Sequence, residues 1–365
     1  MKILCDRQEL QDAFAVVGGI PPLKSPKAVL QNVLLRADES GITFLATDNE
    51  MTARSHVGSV KVTKPGAVLL PSRETAALLR ELSEPTVSIE ASEGRCRIQC
   101  GSGSFELLGD DPSQFPSEPN INADVELHVP INEFLAMFRR TSFAVAREET
   151  RYAINGLLLD FHDGCLRVVG TDGRRLALAY TNISTQAPRA RAVVPLRALQ
   201  TLSKAIPASD ETDLRISLGK NQIRFEVGSN MLVSQLLDNR FPEYEQVIPK
   251  AAESTIEIER TELERNLRRV AVLASDDVRM VRLKFDDKGL EMTSESSNVG
   301  KARLTMAVKM NGKGGSIAFN PDYLIDALKA SELEVVRMDM TDGTVPAKFT
   351  LGESYCYVLM PISGT

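Results

Sequence analysis

The alternation of apolar and polar positions along this chain recurs three times. Residues 42–48, 166–172 and 290–295 each alternate as a half-buried β-strand does, and each ends in a hydroxyl followed by an acid. The closing acids of these segments are 124 and 123 residues apart. Because self-similarity at a fixed period indicates repeated modules, the pattern predicts three copies of one structural unit.

Two amphipathic helices are predicted in each unit. The first helix opens the unit and covers residues 9–14, 131–138 and 262–267. The second follows an extended run and is predicted to begin at Pro71, Pro195 and Asn320. Proline and asparagine both suit the first turn of a helix. The apolar positions of this second helix are Ala77, Leu78 and Leu82, then Leu199, Leu202 and Ala205, then Leu324, Ile325 and Leu328.

The repeat period places three domains at residues 1–122, 123–250 and 251–365. A chain of 365 residues is long enough for two to three domains. Each domain combines two helices with several alternating strands, which predicts an α+β fold with the helices on one face of antiparallel sheets.

Composition narrows the class of protein. Hydrophobic residues make up 43% and charged residues 25%, as in an ordinary globular chain. No apolar run reaches the ~18 residues of a membrane span, and the N-terminus lacks a signal-peptide pattern, so we expect a cytoplasmic protein without membrane contact. The five cysteines show no paired spacing. Cys96 and Cys100 would lie ~13 Å apart on one strand, so we expect reduced, buried thiols.

The net charge of −6 argues against nucleic-acid binding unless the cations are gathered on one surface. On the second helices, cations seven residues apart share a face; they are Arg73 and Arg80, Arg197 and Lys204, and Lys329 alone. Further cations on the opening helices and an early loop are Arg139, Arg140, Arg265 and Lys24. One interpretation is that these cations belong to ordinary solvated helix surfaces. The repetition favours a basic face that contacts phosphates. The absence of Trp and of interleaved aromatics argues against stacking on single strands.

Four short motifs carry a family resemblance: TDGRRLA at 171–177, RFPEY at 240–244, VLMPI at 358–362 and RYAING at 151–156. Together with the three repeats, they make the whole chain resemble the beta subunit of bacterial DNA polymerase III. The resemblance implies a non-catalytic sliding clamp. Two protomers would close head to tail into a ring of six domains around duplex DNA, each protomer forming half of the ring. By position, the resemblance places Lys24, Arg73, Arg197 and Tyr152 against the DNA.

The resemblance also implies a pocket for short hydrophobic peptides of the replicative polymerase catalytic subunit, the clamp loader and other partners. Leu, Ile, Val, Met and Pro would form its floor, and Arg and Asn at its rim would fix the peptide backbone. The matching positions are Ile154, Thr171, Gly173, Arg174, Arg175, Leu176, Pro242, Val247, Asn320, Tyr323, Thr344, Pro346, Met360, Pro361 and Ile362. Related sequences often have Arg at Gln246 and a different C-terminus from 363–365, so peptide preference is expected to differ.

The two ends of the protomer are expected to meet through strand edges at residues 103–107 and 298–304. Phe105 and Leu107 would pack on Val272 and Leu273. Better-known clamps tend to be basic on the first edge and acidic on the second. This chain instead has acids on the first side and bases on the second, which predicts a reversed polarity; these charges are Glu74, Glu106, Lys301 and Arg303.

The sequence gives little support to a catalytic function. His56, His128 and His162 are isolated from one another, and there is no Walker-type loop, so we expect no metal, no cofactor and no catalytic residue. Asp48 and Asp172 occupy equivalent positions in different repeats and are expected to cap turns. Two alternatives stay open: a clamp paralogue dedicated to repair, and a hydrolase on a triplicated scaffold.

Overall fold

The computed structural model describes residues 1–92, 94–146, 155–185, 187–205, 212–238, 240–275 and 279–362. The chain forms two compact units. The first consists of Met1–Phe134 and Arg197–Leu237, and the second of Leu135–Leu196 and Asp238–Thr365.

The helices confirm the predicted pair in each sequence repeat. In chain order they are α1 (Arg7–Val17), α2 (Ser72–Glu81), α3 (Ile131–Thr141), α4 (Leu196–Ala205), α5 (Arg260–Ala271) and α6 (Pro321–Lys329). The apolar stripes of α4 and α6 are buried as expected. On α2 the predicted stripe is partly wrong, because Ala77 is exposed, Leu78 is half-buried and Leu79 takes the core position at 3% exposure.

The strands of the first repeat are β1 (Lys2–Asp6), β2 (Asn32–Asp38), β3 (Gly41–Thr47), β4 (Met51–Val57), β5 (Lys61–Lys64), β6 (Gly66–Pro71), β7 (Thr86–Ser92), β8 (Arg95–Cys100) and β9 (Gly103–Leu108). Those of the second are β10 (Val125–Pro130), β11 (Gly156–His162), β12 (Cys165–Thr171), β13 (Arg175–Asn182), β14 (Ala190–Pro195), β15 (Asp213–Leu218), β16 (Gln222–Val227) and β17 (Asn230–Gln235). Those of the third are β18 (Ser254–Glu259), β19 (Val281–Asp286), β20 (Gly289–Ser296), β21 (Gly300–Met306), β22 (Lys309–Gly312), β23 (Gly315–Phe319), β24 (Val335–Met340), β25 (Ala347–Gly352) and β26 (Tyr355–Leu359).

Each unit holds two antiparallel sheets. In the first unit the strand orders are β5-β1-β7-β8-β9 and β10-β15-β16-β17-β4-β3-β2-β6. In the second unit they are β14-β11-β12-β13-β26-β25-β24-β18-β22 and β21-β20-β19-β23. Few helices and many antiparallel strands confirm the predicted α+β class.

The long sheets continue across the boundaries between sequence repeats. Strand β4 of the first repeat pairs with β17 of the second, with Thr52 opposite Val233. Strand β13 of the second repeat pairs in the same way with β26 of the third, with Leu176 opposite Val358. This sharing of sheets explains why the second repeat contributes to both compact units.

Helix ends and helix faces follow from local chemistry. Asp6 caps α1 by accepting hydrogen bonds from the backbone N–H groups of Gln8 and Glu9. The buried face of α1 packs on β3, where the rings of Phe14 and Phe44 meet edge to face with centroids 5.6 Å apart. At the other end of the chain, Asn320 caps α6 through the N–H of Asp322 at 2.9 Å.

The turn acids behave as predicted. Asp48 accepts hydrogen bonds from the N–H groups of Glu50 and Met51, and Asp172 accepts from those of Arg174 and Arg175. The prediction that these equivalent acids cap turns is therefore confirmed.

The cysteine prediction holds as well. Cys5, Cys96, Cys100, Cys165 and Cys356 are all free thiols, and only Cys356 is not fully buried. Burial raises the pKa of the Cys96 thiol to about 12, so this thiol is protonated and unreactive at neutral pH.

Among the described residues, no helix combines the length and apolar character needed to cross a membrane.

Candidate nucleic-acid surface, partner pocket and protomer seam

The cations predicted from the repeats lie on exposed helix or loop positions. Exposed members of the set are Lys24, Arg73, Arg80, Arg139, Arg197, Lys204, Arg265 and Lys329. Their helices bury the opposite, apolar faces, so the charges project into solvent. An exposed cation on a fixed helix can contact a phosphate without reading base identity. Tyr152, the aromatic member of the predicted set, lies outside the described residues.

Arg197 is already bound by a carboxylate and a backbone carbonyl of its own unit. Its Nη1 lies 2.6 Å from Asp48 Oδ2, and its Nη2 donates to the Ile20 carbonyl at 3.2 Å. The guanidinium therefore joins the start of α4 to the β3–β4 turn and to the chain just before Lys24.

Arg140 is a correction to the predicted set. Its guanidinium lies 5.9 Å from the centre of the buried Tyr355 ring and 3.9 Å from Glu332. Only 20% of its side chain is exposed. The arginine packs into its own unit through the cation–π contact, so we remove it from the candidate phosphate contacts.

The fold brings together predicted pocket residues that are far apart in sequence. Strand pairing sets Arg175 opposite Leu359, and the N–H of Met360 donates to the Arg174 carbonyl at 2.9 Å. The N–H of Ile362 donates to the Ala318 carbonyl at 2.8 Å, just before the cap of α6. Ala347 pairs with Leu359, which sets Pro346 beside the same strand end. Predicted members at this junction are Thr171, Gly173, Arg174, Leu176, Asn320, Tyr323, Pro346, Met360, Pro361 and Ile362.

The β12–β13 turn fixes the first part of this junction. Thr171 Oγ1 donates to the Arg175 carbonyl at 2.7 Å, and the Gly173 N–H donates back to Thr171 Oγ1. Gly173 has φ +83°, a left-handed conformation that side chains disfavour. The turn therefore needs glycine for its backbone rather than for space around it.

Arg175 lies beneath the junction, which corrects the prediction that it stands at the rim. It is 6% exposed. Its Nε and Nη1 each lie 3.0 Å from a carboxylate oxygen, of Asp172 and Asp326 respectively. Its Nη2 donates to the Phe143 carbonyl at 2.6 Å, and its guanidinium stacks 4.3 Å from the Tyr323 ring centre.

The charge of Arg175 is secure. Burial alone would lower its pKa, but the neighbouring Tyr357, Asp326 and Asp172 raise it above its ordinary value. With every nitrogen engaged, Arg175 holds the junction together and leaves the exposed Arg174 to meet a ligand.

A groove of about 1000 Å³ opens beside this junction within the second unit. Arg174, Arg175, Asn320 and Tyr323 belong both to its lining and to the predicted pocket. Its other lining residues include Asp172, Arg268, Val272, Arg279, Asp322 and Lys329.

The remaining pocket positions sit on separate segments. Val247 and Met360 are apolar but 48% and 45% exposed. Thr344 and Pro242 are also exposed. Exposed apolar side chains around a polar rim mark an interaction surface. Ile154 lies outside the described residues, as does the C-terminal segment 363–365.

Both strands predicted for the protomer seam are sheet edges in their own units. Strand β9 ends the five-stranded sheet, and β21 ends the four-stranded sheet. Phe105 of β9 pairs with the buried Ile98 yet is 39% exposed, and Val272 at the end of α5 is 74% exposed. Unpaired edges flanked by exposed apolar side chains are suited to joining another chain.

The seam charges have partners within the protomer, which the sequence did not reveal. Glu106 lies 3.1 Å from Arg95 and 3.8 Å from Arg97 of the neighbouring strand. Lys301 pairs with Glu295 at 2.6 Å, and Arg303 pairs with Glu291. Glu74, by contrast, lies exposed in the first turn of α2. Three of the four seam charges are therefore already paired within the single protomer.

One histidine is less isolated than the sequence indicated. His162 lies near Asp160 and Glu245, and one ligand atom from each falls within 4.8 Å of the others. Arg167 Nη1 lies 2.8 Å from His162 Nε2, however, and Arg191 Nε lies 3.7 Å from Asp160. Two guanidinium cations at these ligand atoms oppose a third cation, so the cluster is better described as an ion-pair network than as a metal centre.

Family comparisons match the whole chain. Models of the N-terminal, central and C-terminal domains of the DNA polymerase III beta subunit match residues 1–120, 128–243 and 245–363. The beta sliding clamp of Chlamydia muridarum is 33% identical over 364 residues, and that of Escherichia coli K12 is 30% identical over 369. The alignments cover 99% of this chain and 99% and 100% of those proteins, respectively.

Solved structures agree with the sequence relatives. The Pseudomonas aeruginosa sliding clamp bound to griselimycin superposes with a TM-score of 0.94 at 26% identity, and each chain is covered completely. The Thermotoga maritima DNA polymerase III beta subunit has the same fold, with a TM-score of 0.94 at 24% identity and complete coverage of both chains. By matched domains, sequence identity and fold, the chain belongs to the DNA polymerase III beta subunit family, the beta sliding clamps.

Proposed function

We propose that two copies of this chain close head to tail into a ring of six domains around duplex DNA. The ring tethers the replicative polymerase catalytic subunit, as a non-catalytic part of its holoenzyme in the cytoplasm. The observation that carries this proposal is the recurrence of exposed cations on equivalent helices of a chain whose net charge is −6. The domain limits 1–122, 123–250 and 251–365 are part of the same proposal.

The exposed helix cations are proposed to touch the phosphates weakly. Phosphate contacts carry no sequence information, so a protein held by them can slide. Enclosure of the duplex, rather than affinity, would then keep the ring in place. No feature of the described residues favours hydrolysis or a role restricted to repair.

Retention on DNA circles tests the ring. Protein loaded on a nicked circle is expected to stay bound at high salt and to leave once the circle is cut. Retention that is equal on circles and linear DNA would contradict enclosure.

The helix cations also make a separate prediction. The double variant Arg73→Glu and Lys204→Glu is expected to reduce the salt dependence of duplex binding by about two in the log–log slope, because each phosphate contact contributes ~0.9. Fluorescence anisotropy over a series of salt concentrations measures this slope. The matched control reverses Lys61 and Lys64 on the edge strand β5, which leaves the helices intact. An equal change in both variants would contradict a helix-specific surface.

We propose that the seam joins edge β9 of one protomer to edge β21 of the next, with Phe105 and Leu107 packed on Val272 and Leu273. The outer charges would then choose the partner rather than supply the affinity. Because Glu106 already has arginine partners, Glu106→Lys is expected to weaken the dimer only about twofold to fivefold, as an exposed pair contributes at most ~1 kcal/mol. Sedimentation of variant, wild type and their mixture measures this. Unchanged affinity and free mixing with wild type would remove the reversed polarity from the proposal.

We further propose that the junction of Thr171–Leu176 with Met360–Ile362, together with Pro242 and Val247, receives hydrophobic peptides of the polymerase, the clamp loader and other partners. Exposed apolar side chains and the exposed Arg174 support this assignment. Griselimycin, which the Pseudomonas aeruginosa clamp binds, is proposed to occupy the same pocket here.

A further inference from the structure

The segment that carries Pro242 and Val247 is bound at Glu243 and Tyr244, and the next residue, Glu245, lies near His162. Arg191 Nη1 lies 3.4 Å from Glu243, and the Tyr244 hydroxyl donates to Asp160 Oδ2 at 2.9 Å. His162 Nε2 lies 3.9 Å from Glu245. We call Asp160, His162 and Arg191 the β11–β14 anchor, after the strands that carry them.

Asp160 is the centre of this anchor. It is fully buried, at 0% exposure, and pairs in register with Arg167 on one side and Arg191 on the other. Its Oδ1 is buried and has no hydrogen-bond partner among the described residues. A buried carboxylate with so few donors depends strongly on each of them, so the Tyr244 hydroxyl matters more here than an average hydrogen bond.

Tyr244 is suited to be a permanent donor. It is 2% exposed, and the Arg191 guanidinium covers its ring at 6.0 Å. Burial and the hydrogen bond to Asp160 both raise the pKa of its hydroxyl, so the proton stays on Tyr244 at physiological pH. The N–H of Val247 donates to the Tyr244 carbonyl at 3.2 Å. The fixed Tyr244 therefore also restrains the backbone of the exposed Val247.

We propose that Asp160, His162 and Arg191 are positioning residues for the partner pocket. They fix the Pro242–Val247 segment without touching the peptide and thereby set its affinity. This inference rests on the proposed function, because it assumes that Val247 and Pro242 contact the ligand. The side chains that bind the peptide and those that hold them in place would then lie on different elements.

The test compares two losses of a tyrosine hydroxyl in the same unit. Tyr244→Phe removes the donor to Asp160, whereas Tyr180→Phe removes a donor to the Glu353 carbonyl on another strand pair. Labelled griselimycin is titrated against each full-length protein. Tyr244→Phe is expected to weaken binding about fivefold to tenfold, a size typical of coupling between sites. Tyr180→Phe is expected to stay within twofold of wild type.

Hydrogen exchange separates positioning from general destabilisation. Tyr244→Phe is expected to speed exchange of the amides at 246 and 247 while the amides of β13 keep wild-type rates. A folded Tyr244→Phe protein with unchanged griselimycin affinity would overturn the anchor. An equal loss of affinity in Tyr180→Phe would also overturn it. Failure of wild type itself to bind griselimycin would instead overturn the pocket assignment, and the anchor with it.

Should Tyr244→Phe fail to fold, the double variant Glu243→Gln and Glu245→Gln keeps the proposal testable. It removes both exposed charges that face Arg191 and His162 and is expected to lower griselimycin affinity about threefold to fivefold, while Glu253→Gln, which faces Lys313 elsewhere in the unit, stays within twofold of wild type. Equal affinity in these two variants would count against the anchor.

Discussion

Val272→Asp is expected to weaken the proposed dimer of this 40.0 kDa chain about 30-fold. Val272 directly follows the last residue of α5 and is 74% exposed in the single protomer, so folding does not require its burial. In the proposed seam it would be covered by the β9 edge of a second copy. Enclosing a carboxylate against this apolar edge costs about 2 kcal/mol net, because Arg268 one turn earlier on α5 partly offsets its charge, and this corresponds to a roughly 30-fold weaker dimer constant.

Light scattering over a dilution series measures the mass and hence the dimer constant of each variant. The matched control is Val335→Asp, because Val335 is also apolar and 50% exposed but lies on β24. The control is expected to keep twice the chain mass and to stay on circular DNA. A Val272→Asp protein with the wild-type dimer constant would show that the end of α5 does not contribute to the seam. An aspartate at the end of α5 also opposes the helix dipole by about 0.5 kcal/mol, so thermal unfolding should be recorded for both variants.

Arg175→Ala is expected to destabilise the second unit by about 3–5 kcal/mol, because it leaves two carboxylates without their buried cation. Asp172 and Asp326 lose their partner, the Phe143 carbonyl loses its donor, and Tyr323 loses the stacked guanidinium. Partner binding should disappear with the junction. Urea unfolding followed by circular dichroism measures this loss of stability relative to wild type.

The neighbouring Arg174 provides the control for this experiment. Arg174 is exposed, and Arg174→Ala is expected to change stability by less than about 0.5 kcal/mol. It removes only the guanidinium proposed to meet the peptide, so griselimycin affinity should fall while unfolding stays as in wild type. Similar stability losses for both variants would contradict the assignment of Arg175 as the buried centre of the junction.

Local sequence patterns were sufficient to predict the helices, the repeated strands and the threefold repeat. The alternation at 42–48 and 166–172 became β3 and β12, and the six amphipathic stretches became the six described helices. The turn acids Asp48 and Asp172 were also predictable, because an acid that caps its own turn depends on neighbours two and three residues away. The error on α2 had a local cause as well. Leu78 and Leu79 are adjacent leucines, and periodicity alone does not decide which one enters the core.

The site could be predicted only through the family resemblance, because its contacts join distant residues. Arg175 reaches Asp326 across 151 positions, and Tyr244 reaches Asp160 across 84. In the sequence, Arg174 and Arg175 look alike, and nothing distinguishes the buried arginine from the exposed one. The same holds for Arg140, whose partner Tyr355 is brought near only by the folded sheet.

The continuous ladders at β4–β17 and β13–β26 have a mechanical consequence. A motor that drags a tethered ring along DNA loads neighbouring modules in tension. Where domains are joined only by flexible linkers, few non-covalent contacts between the domains carry such a load. Here the paired strands at each repeat boundary are joined by several backbone hydrogen bonds. Under a force along the strands these bonds share the load and must break together. The repeat boundaries inside each compact unit should therefore resist separation under tension.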